Sequence, residues 1–329
     1  MLLQKSYECI VQYLDNKDLC ALRCCSKYYQ SFMQDYEARA YNVESFIQKF
    51  LELSEYLWFR RHQECLGTLV SGSFVKTFIN RGLAGDYIDV FSYLMFSIEL
   101  VQWLLRIGYT YEGSDTLEEA IRSVEVQFVG SGRPSVQERM WLLSRRSLSG
   151  GNRFSHIIVI GCWDSPLADI LLYCPSMDRL NIMTHSCIYA LYPLAAIGRS
   201  RSLPIRPYKY HREAKCIRES IRDAAKKGMK SPLPSTKTGS SFNDALSFLS
   251  PRLFSDKFTW ILKLRNGATD LLDILSLNSF RVTYGANWIT LAFHLYMPPG
   301  DAFHHCVSYD VYADLLNSSN ELRAGDLFW

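Results

Sequence analysis

Between Tyr7 and Phe50 apolar positions recur at helical spacing. Ile10 and Leu14 lie four apart, and Leu19, Leu22 and Ser26 continue after the break Asp15-Asn16-Lys17. Asn16 suits a helix cap, with Asp18 in the first turn where negative charge favours the helix dipole. Two or three short helices in about fifty residues bury little apolar surface alone, so this unit calls for a partner surface. The aromatic cluster Tyr56, Trp58 and Phe59 predicts a packed connection to the adjoining part of the chain. Thr68 to Ser71 then reads as a strand, Gly72-Ser73 as a turn, and the apolar positions 74, 75, 78 and 79 as a helix. Tyr87 to Phe91 and Ser155 to Ile160 read as further strands, the second with four apolar residues in a row. Beyond residue 240 the pattern mixes a helical set (Leu271, Leu272, Ile274, Leu275, Leu277) with alternating stretches at Phe280 to Tyr284 and Trp288 to Phe293. The fold class is α+β. Four segments are expected: a helical unit over 1–50, a sheet domain over 51–198, a basic helix and loop over 199–240, and an α+β region over 241–329.

At 329 residues the chain exceeds what one core supports, and its 48% hydrophobic and 21% charged content excludes a disordered or rod-like protein. The opening residues lack the apolar stretch of a signal sequence, and the longest apolar run is far short of the ~20 residues that span a bilayer. An intracellular protein, cytoplasmic or nuclear, with no membrane association is expected. The ten cysteines contain no Cys-x-x-Cys pair and read as thiols. His304-His305-Cys306 offers adjacent side chains that diverge on an extended segment, which disfavours a metal site. The formal charge of +3 is too small for a nucleic-acid footprint. It is unevenly spread: residues 199–240 hold twelve Lys or Arg against Glu213, Glu219 and Asp223, a local +9. Lys215, Arg218, Arg222 and Lys226 fall on one helical face, either a solvated surface or, through Arg218 and Arg222, a contact for an acidic partner or phosphate. Sequence-specific nucleic-acid recognition is not expected.

Two resemblances add to this reading. The stretch from Tyr7 to Arg23, followed by Ser26-Lys27 and Phe32, resembles an F-box, although Leu2-Leu3 stands where that motif has Leu-Pro and Lys5 where an acid is common. This implies docking of residues 5–45 on the linker subunit of a cullin-type ubiquitin ligase through Leu14, Asp18, Leu19 and Leu22. The competing reading makes these leucines core positions of a helical cap. The second resemblance rests on Ser71-Gly72-Ser73-Phe74, Trp103 to Tyr109, Ile170-Leu171, Ser176 to Thr184 and Ala190 to Pro193. This set is similar to fungal F-box-like proteins carrying a degenerate nucleotidyltransferase-like domain of the polymerase-beta type. In that superfamily a Gly-Ser turn cradles phosphate and two carboxylates at i and i+2 of a strand hold two metal ions. Here Asp86 and Asp89 are three apart, on opposite faces of a regular strand; if Asp89 is the second carboxylate, Tyr87 occupies the place of the first. The strand expected to supply the third contains no acid, and His156 reads as a strand-end residue.

The sequence therefore predicts a non-catalytic adaptor without cofactor, binding the linker and an unknown substrate protein. The alternatives are a Mg²⁺-dependent nucleotidyltransferase using Asp86 and Asp89, and a pseudoenzyme that still binds nucleotide at Gly72 and Ser73.

Overall fold

The computed structural model describes residues 10–11, 13–14, 16–122, 139–148, 154–163, 165–174, 176–193, 196, 252–255, 259–264, 279–284 and 289–294. Ahead of the sheet lie the helices α1 (Asn16–Cys25), α2 (Lys27–Ala40), α3 (Val43–Ile47) and α4 (Leu53–Leu66). Ser26 starts α2, its hydroxyl accepting from the Tyr29 N–H at 3.2 Å. The aromatic cluster at 56–59 lies within α4. Glu55 secures that helix's first turn, its carboxylate accepting from the Glu52 N–H at 2.7 Å, and Gly67 ends it at φ 62°.

The chain then enters a mixed sheet: β1 (Leu69–Ser71), α5 (Ser73–Ile79), β2 (Tyr87–Tyr93), α6 (Leu94–Arg106), β3 (Thr110–Tyr111), β4 (Met140–Arg146), β5 (Phe154–Cys162), α7 (Pro166–Tyr173), β6 (Asn181–Met183) and β7 (Cys187–Ala190). Of the later residues, β8 (Arg252–Leu253), β9 (Trp260–Lys263), β10 (Ser279–Tyr284) and β11 (Ile289–His294) are described. The main sheet has the order β3-β4-β5-β2-β1-β6-β7-β9, and β8, β10 and β11 form a smaller one. β2 and β5 are parallel; the other pairs in the main sheet are antiparallel. Because β9 completes this sheet beside β7, the sheet extends across the segment boundary expected at 240/241.

Strand alternation sorts the core into two layers. Val70, Ile88, Val90, Ile157, Val159, Met183 and Ile188 face a cluster that includes Phe74, Phe78, Leu100 and Trp103 of α5 and α6 and Phe59 of α4. The intervening Leu69, Phe91, Ile160, Ile182 and Tyr189 pack with Leu167, Ile170 and Leu171 of α7. The apolar run of β5 is explained by this double coverage. A third, separate cluster of Val11, Leu19, Phe32 and Met33 holds the amino-terminal unit together. Tyr41, just past α2, already belongs to the main core. No helix among the described residues is long and apolar enough to cross a membrane.

Candidate functional site

Two places in the fold gather the residues singled out by the sequence. The first is the end of β1. Gly72 leaves the strand with φ 79°, a conformation that costs any side chain, and a Cβ there would lie under 3.0 Å from the Asp89 carboxylate. Asp89 is opposite Ser71 in the β1–β2 ladder, and Ser71 donates its hydroxyl proton to the Asn181 carbonyl at 2.7 Å. Burial pushes the Asp89 carboxyl up to about 6, against the pull of the Arg179 charge. Lys76, one turn into α5, forms an ion pair with Asp178, whose side chain is buried. The turn expected to cradle phosphate therefore has a carboxylate packed against it, and its nearby lysine is engaged with a second acid. An incoming phosphate would meet negative charge unless Asp89 were protonated.

The two aspartates serve different neighbours. Asp86 precedes β2, half exposed and ion-paired with Lys49, whose ammonium also donates to the Gly85 carbonyl at 2.9 Å. Its own carbonyl accepts from the His156 N–H at 2.8 Å. Tyr87 is the residue two before Asp89 on the strand, and its ring stacks on that of His156 with centroids 4.6 Å apart and planes at 14°. The parallel register sets Tyr87 beside His156 and Asp89 beside Ile158. Glu112 is also near this pair, with its carboxylate 3.8 Å from His156 Nδ1. Where a two-metal site would place its first carboxylate there is a phenol on an imidazole. His156, read from sequence as a strand-end residue, is half of that stack. No group of three or more His, Cys, Asp or Glu suited to a metal ion occurs among the described residues.

The second place is the amino-terminal unit. Its core takes in Leu19, 4% exposed, while Leu14 and Leu22 pack partly buried against the same cluster. Leu19 thus belongs to the interior of the unit, the place that the competing reading gives it. The apolar surface left outside is Ile10, Tyr13 and Tyr28, exposed by 55%, 84% and 60%, with Asp18 also exposed. Arg23 of α1 and Glu37 of α2 are 3.5 Å apart and tie the two helices. Leu14 lies in the turn before α1 and Leu19 and Leu22 on that helix, so how far each points inward depends on how α2 folds back. Arg218, Arg222 and the His304-His305-Cys306 segment lie outside the described residues.

Comparison with known proteins agrees with this second place. Residues 4–37 match the F-box domain. A search of curated proteins and a search of solved structures each found no match to the chain.

Proposed function

We propose that the chain is a non-catalytic adaptor that docks on the linker subunit of a cullin-type ubiquitin ligase through its amino-terminal helices and recruits a substrate protein with the remainder. The supporting observation is the F-box match at residues 4–37, coinciding with a two-helix unit that has its own small core and leaves Ile10, Tyr13 and Tyr28 exposed. Large apolar side chains in solvent gain most by burial on a partner, and truncating a well-packed one costs about 1 to 3 kcal/mol of binding. Purified linker should bind the full chain, and Tyr13→Ala and Ile10→Ala should each weaken that binding at unchanged helical content. Full-strength binding by both variants, or no binding by the wild type, defeats this reading. Within it, Arg218 and Arg222 form a charged contact for the substrate. Reversal of both to Glu should weaken substrate capture and reduce its salt dependence.

For the sheet domain we propose a degenerate nucleotidyltransferase-like fold without transfer activity. The strand, Gly-Ser turn, helix and strand over 69–93, with β5 parallel to β2, support the architecture. The Tyr87–His156 stack argues against the chemistry, because in-line transfer needs metal ions to neutralise the triphosphate and position 87 offers no carboxylate. Incubation with labelled nucleoside triphosphates, Mg²⁺ or Mn²⁺ and a panel of hydroxyl acceptors should transfer no label. Transfer that Asp89→Asn abolishes would restore the catalytic reading.

A further inference from the structure

Arg81, in the turn after α5, adopts φ 54°, the left-handed region that residues other than glycine enter rarely. Its guanidinium reaches from the sheet body into the amino-terminal unit. Nη1 donates to the Tyr36 hydroxyl at 2.7 Å and to the Val11 carbonyl at 3.3 Å, and Nη2 donates to the Leu14 carbonyl. The same group lies 6.0 Å from the centroid of the Tyr36 ring. Val11 and Leu14 close a turn, the Leu14 N–H donating to the Val11 carbonyl at 3.2 Å. A fixed positive charge therefore sits at the carbonyl end of this turn, on the Leu14 carbonyl and on the Val11 carbonyl that the turn also uses.

The apolar packing makes this polar link consequential. The cluster around Val11, Leu19, Phe32 and Met33 does not merge with the main core, which begins at Tyr41. Tyr41 is a further tie, its hydroxyl donating to the Ile79 carbonyl at 3.3 Å and its ring against Phe78. The contact at the end of α2 lies close to the chain connection and leaves room to pivot; the Arg81 contact, at Val11, Leu14 and Tyr36, opposes that pivot. We propose that Arg81 is a positioning residue that locks the F-box unit at one orientation on the sheet body, so that linker and substrate surfaces are held at a fixed angle. Arginine suits the task because its planar guanidinium spreads its donors in a rigid fork that reaches the Tyr36 hydroxyl and two backbone carbonyls from separate nitrogens, whereas an ammonium gathers its three donors on one atom. The use of this rigidity rests on the adaptor reading; the rigidity itself does not.

The test is a distance distribution between spin labels, introduced as unnatural amino acids at exposed Asp35 in α2 and Gln102 in α6 of the full chain. The wild type should give one narrow distance. Arg81→Ala, Arg81→Lys and Arg81→Gly should each broaden it, with helical content unchanged. Arg81→Gly is informative because glycine accepts the positive φ, so broadening there reports loss of the guanidinium. If Arg81→Ala fails to fold, Arg81→Lys and Tyr36→Phe decide. A narrow distribution in the folded variants overturns the proposal. Affinity for purified linker is measured in parallel and should be the same in Arg81→Lys as in the wild type. A wild type that ignores the linker defeats the adaptor reading, while the distances still judge Arg81.

Discussion

Asp89, partly buried, and His62, buried, are ionisable groups whose titrations act on stability with opposite sign. Burial lifts Asp89 from 3.8 to about 6, so between those values the unfolded chain has lost the proton that the folded chain keeps. Its contribution is present at low pH and disappears as pH rises to about 6. His62 is lowered by burial from 6.5 to about 4. Its Nδ1 is 3.0 Å from the Thr68 hydroxyl, which in turn donates to Ser92 at 3.2 Å, so the neutral ring carries its proton on Nδ1. The stability tied to neutral His62 is present above pH 6.5 and lost as pH falls towards 4. Each effect is on the order of 2 to 3 kcal/mol, and over this window they offset one another. Urea unfolding across this range should show a shallow profile for the wild type. Asp89→Asn should be more stable than the wild type near neutral pH and fall steeply on acidification, whereas His62→Phe should gain stability on acidification. Neither group's role was legible locally: the sequence marks Asp89 as acidic and in a strand, but its surroundings are supplied by the β1–α5 turn and by the neighbouring strands β1 and β5.

At the scale of elements, the turn from β1 to α5 shows where local pattern suffices and the anchoring of α4 where it does not. The positions 74, 75, 78 and 79 identify α5 because one helical turn brings them onto one face, and all four are buried. The glycine at 72 is explained by two constraints at once, its positive φ and the adjacent Asp89 carboxylate. Gly72→Ala should destabilise by about 3 kcal/mol or more, the backbone term alone being about 1 to 2. Combining it with Asp89→Ala should recover part of that loss, a coupling that a double-mutant unfolding cycle measures. For α4 the dense aromatics Tyr56, Trp58 and Phe59 conceal the helical period and signal only packing. Trp58 stacks on Trp103 of α6, ring centroids 4.0 Å apart. The helix is fixed to β4 by Arg145, which makes two 2.8 Å hydrogen bonds to the Glu55 carboxylate and lies 4.7 Å from the Tyr109 ring centroid. Burial works against ionisation of Glu55, but the Arg145 hydrogen bonds, the Glu52 N–H and the Arg145 charge hold its carboxyl below 4.5. Glu55→Gln should cost about 2 kcal/mol by leaving Arg145 without its countercharge, and that cost should shrink as pH falls through the carboxylate range. Thermal unfolding of the two proteins at neutral and acidic pH checks both statements.

For the molecule as a whole, the α+β class and the order of helical unit, then sheet, follow from periodicity, and Ser279–Tyr284 and Ile289–His294 pair as a hairpin where alternation predicts strands. What periodicity does not convey is which distant strand completes which edge. β9 is the example: its partner β7 ends at residue 190, and nothing local to Trp260–Lys263 names Cys187–Ala190 as the neighbour. All four residues of β7 are buried, and β9 occupies the side of that strand away from β6. A chain cut at residue 198, the end that composition alone proposes for the sheet domain, would present β7 as a bare apolar edge. Such edges recruit strands from other molecules. The shortened protein should therefore self-associate in sedimentation experiments at concentrations where the full chain does not. Adding residues 252–264 back as a separate peptide should reverse the association by supplying the missing strand.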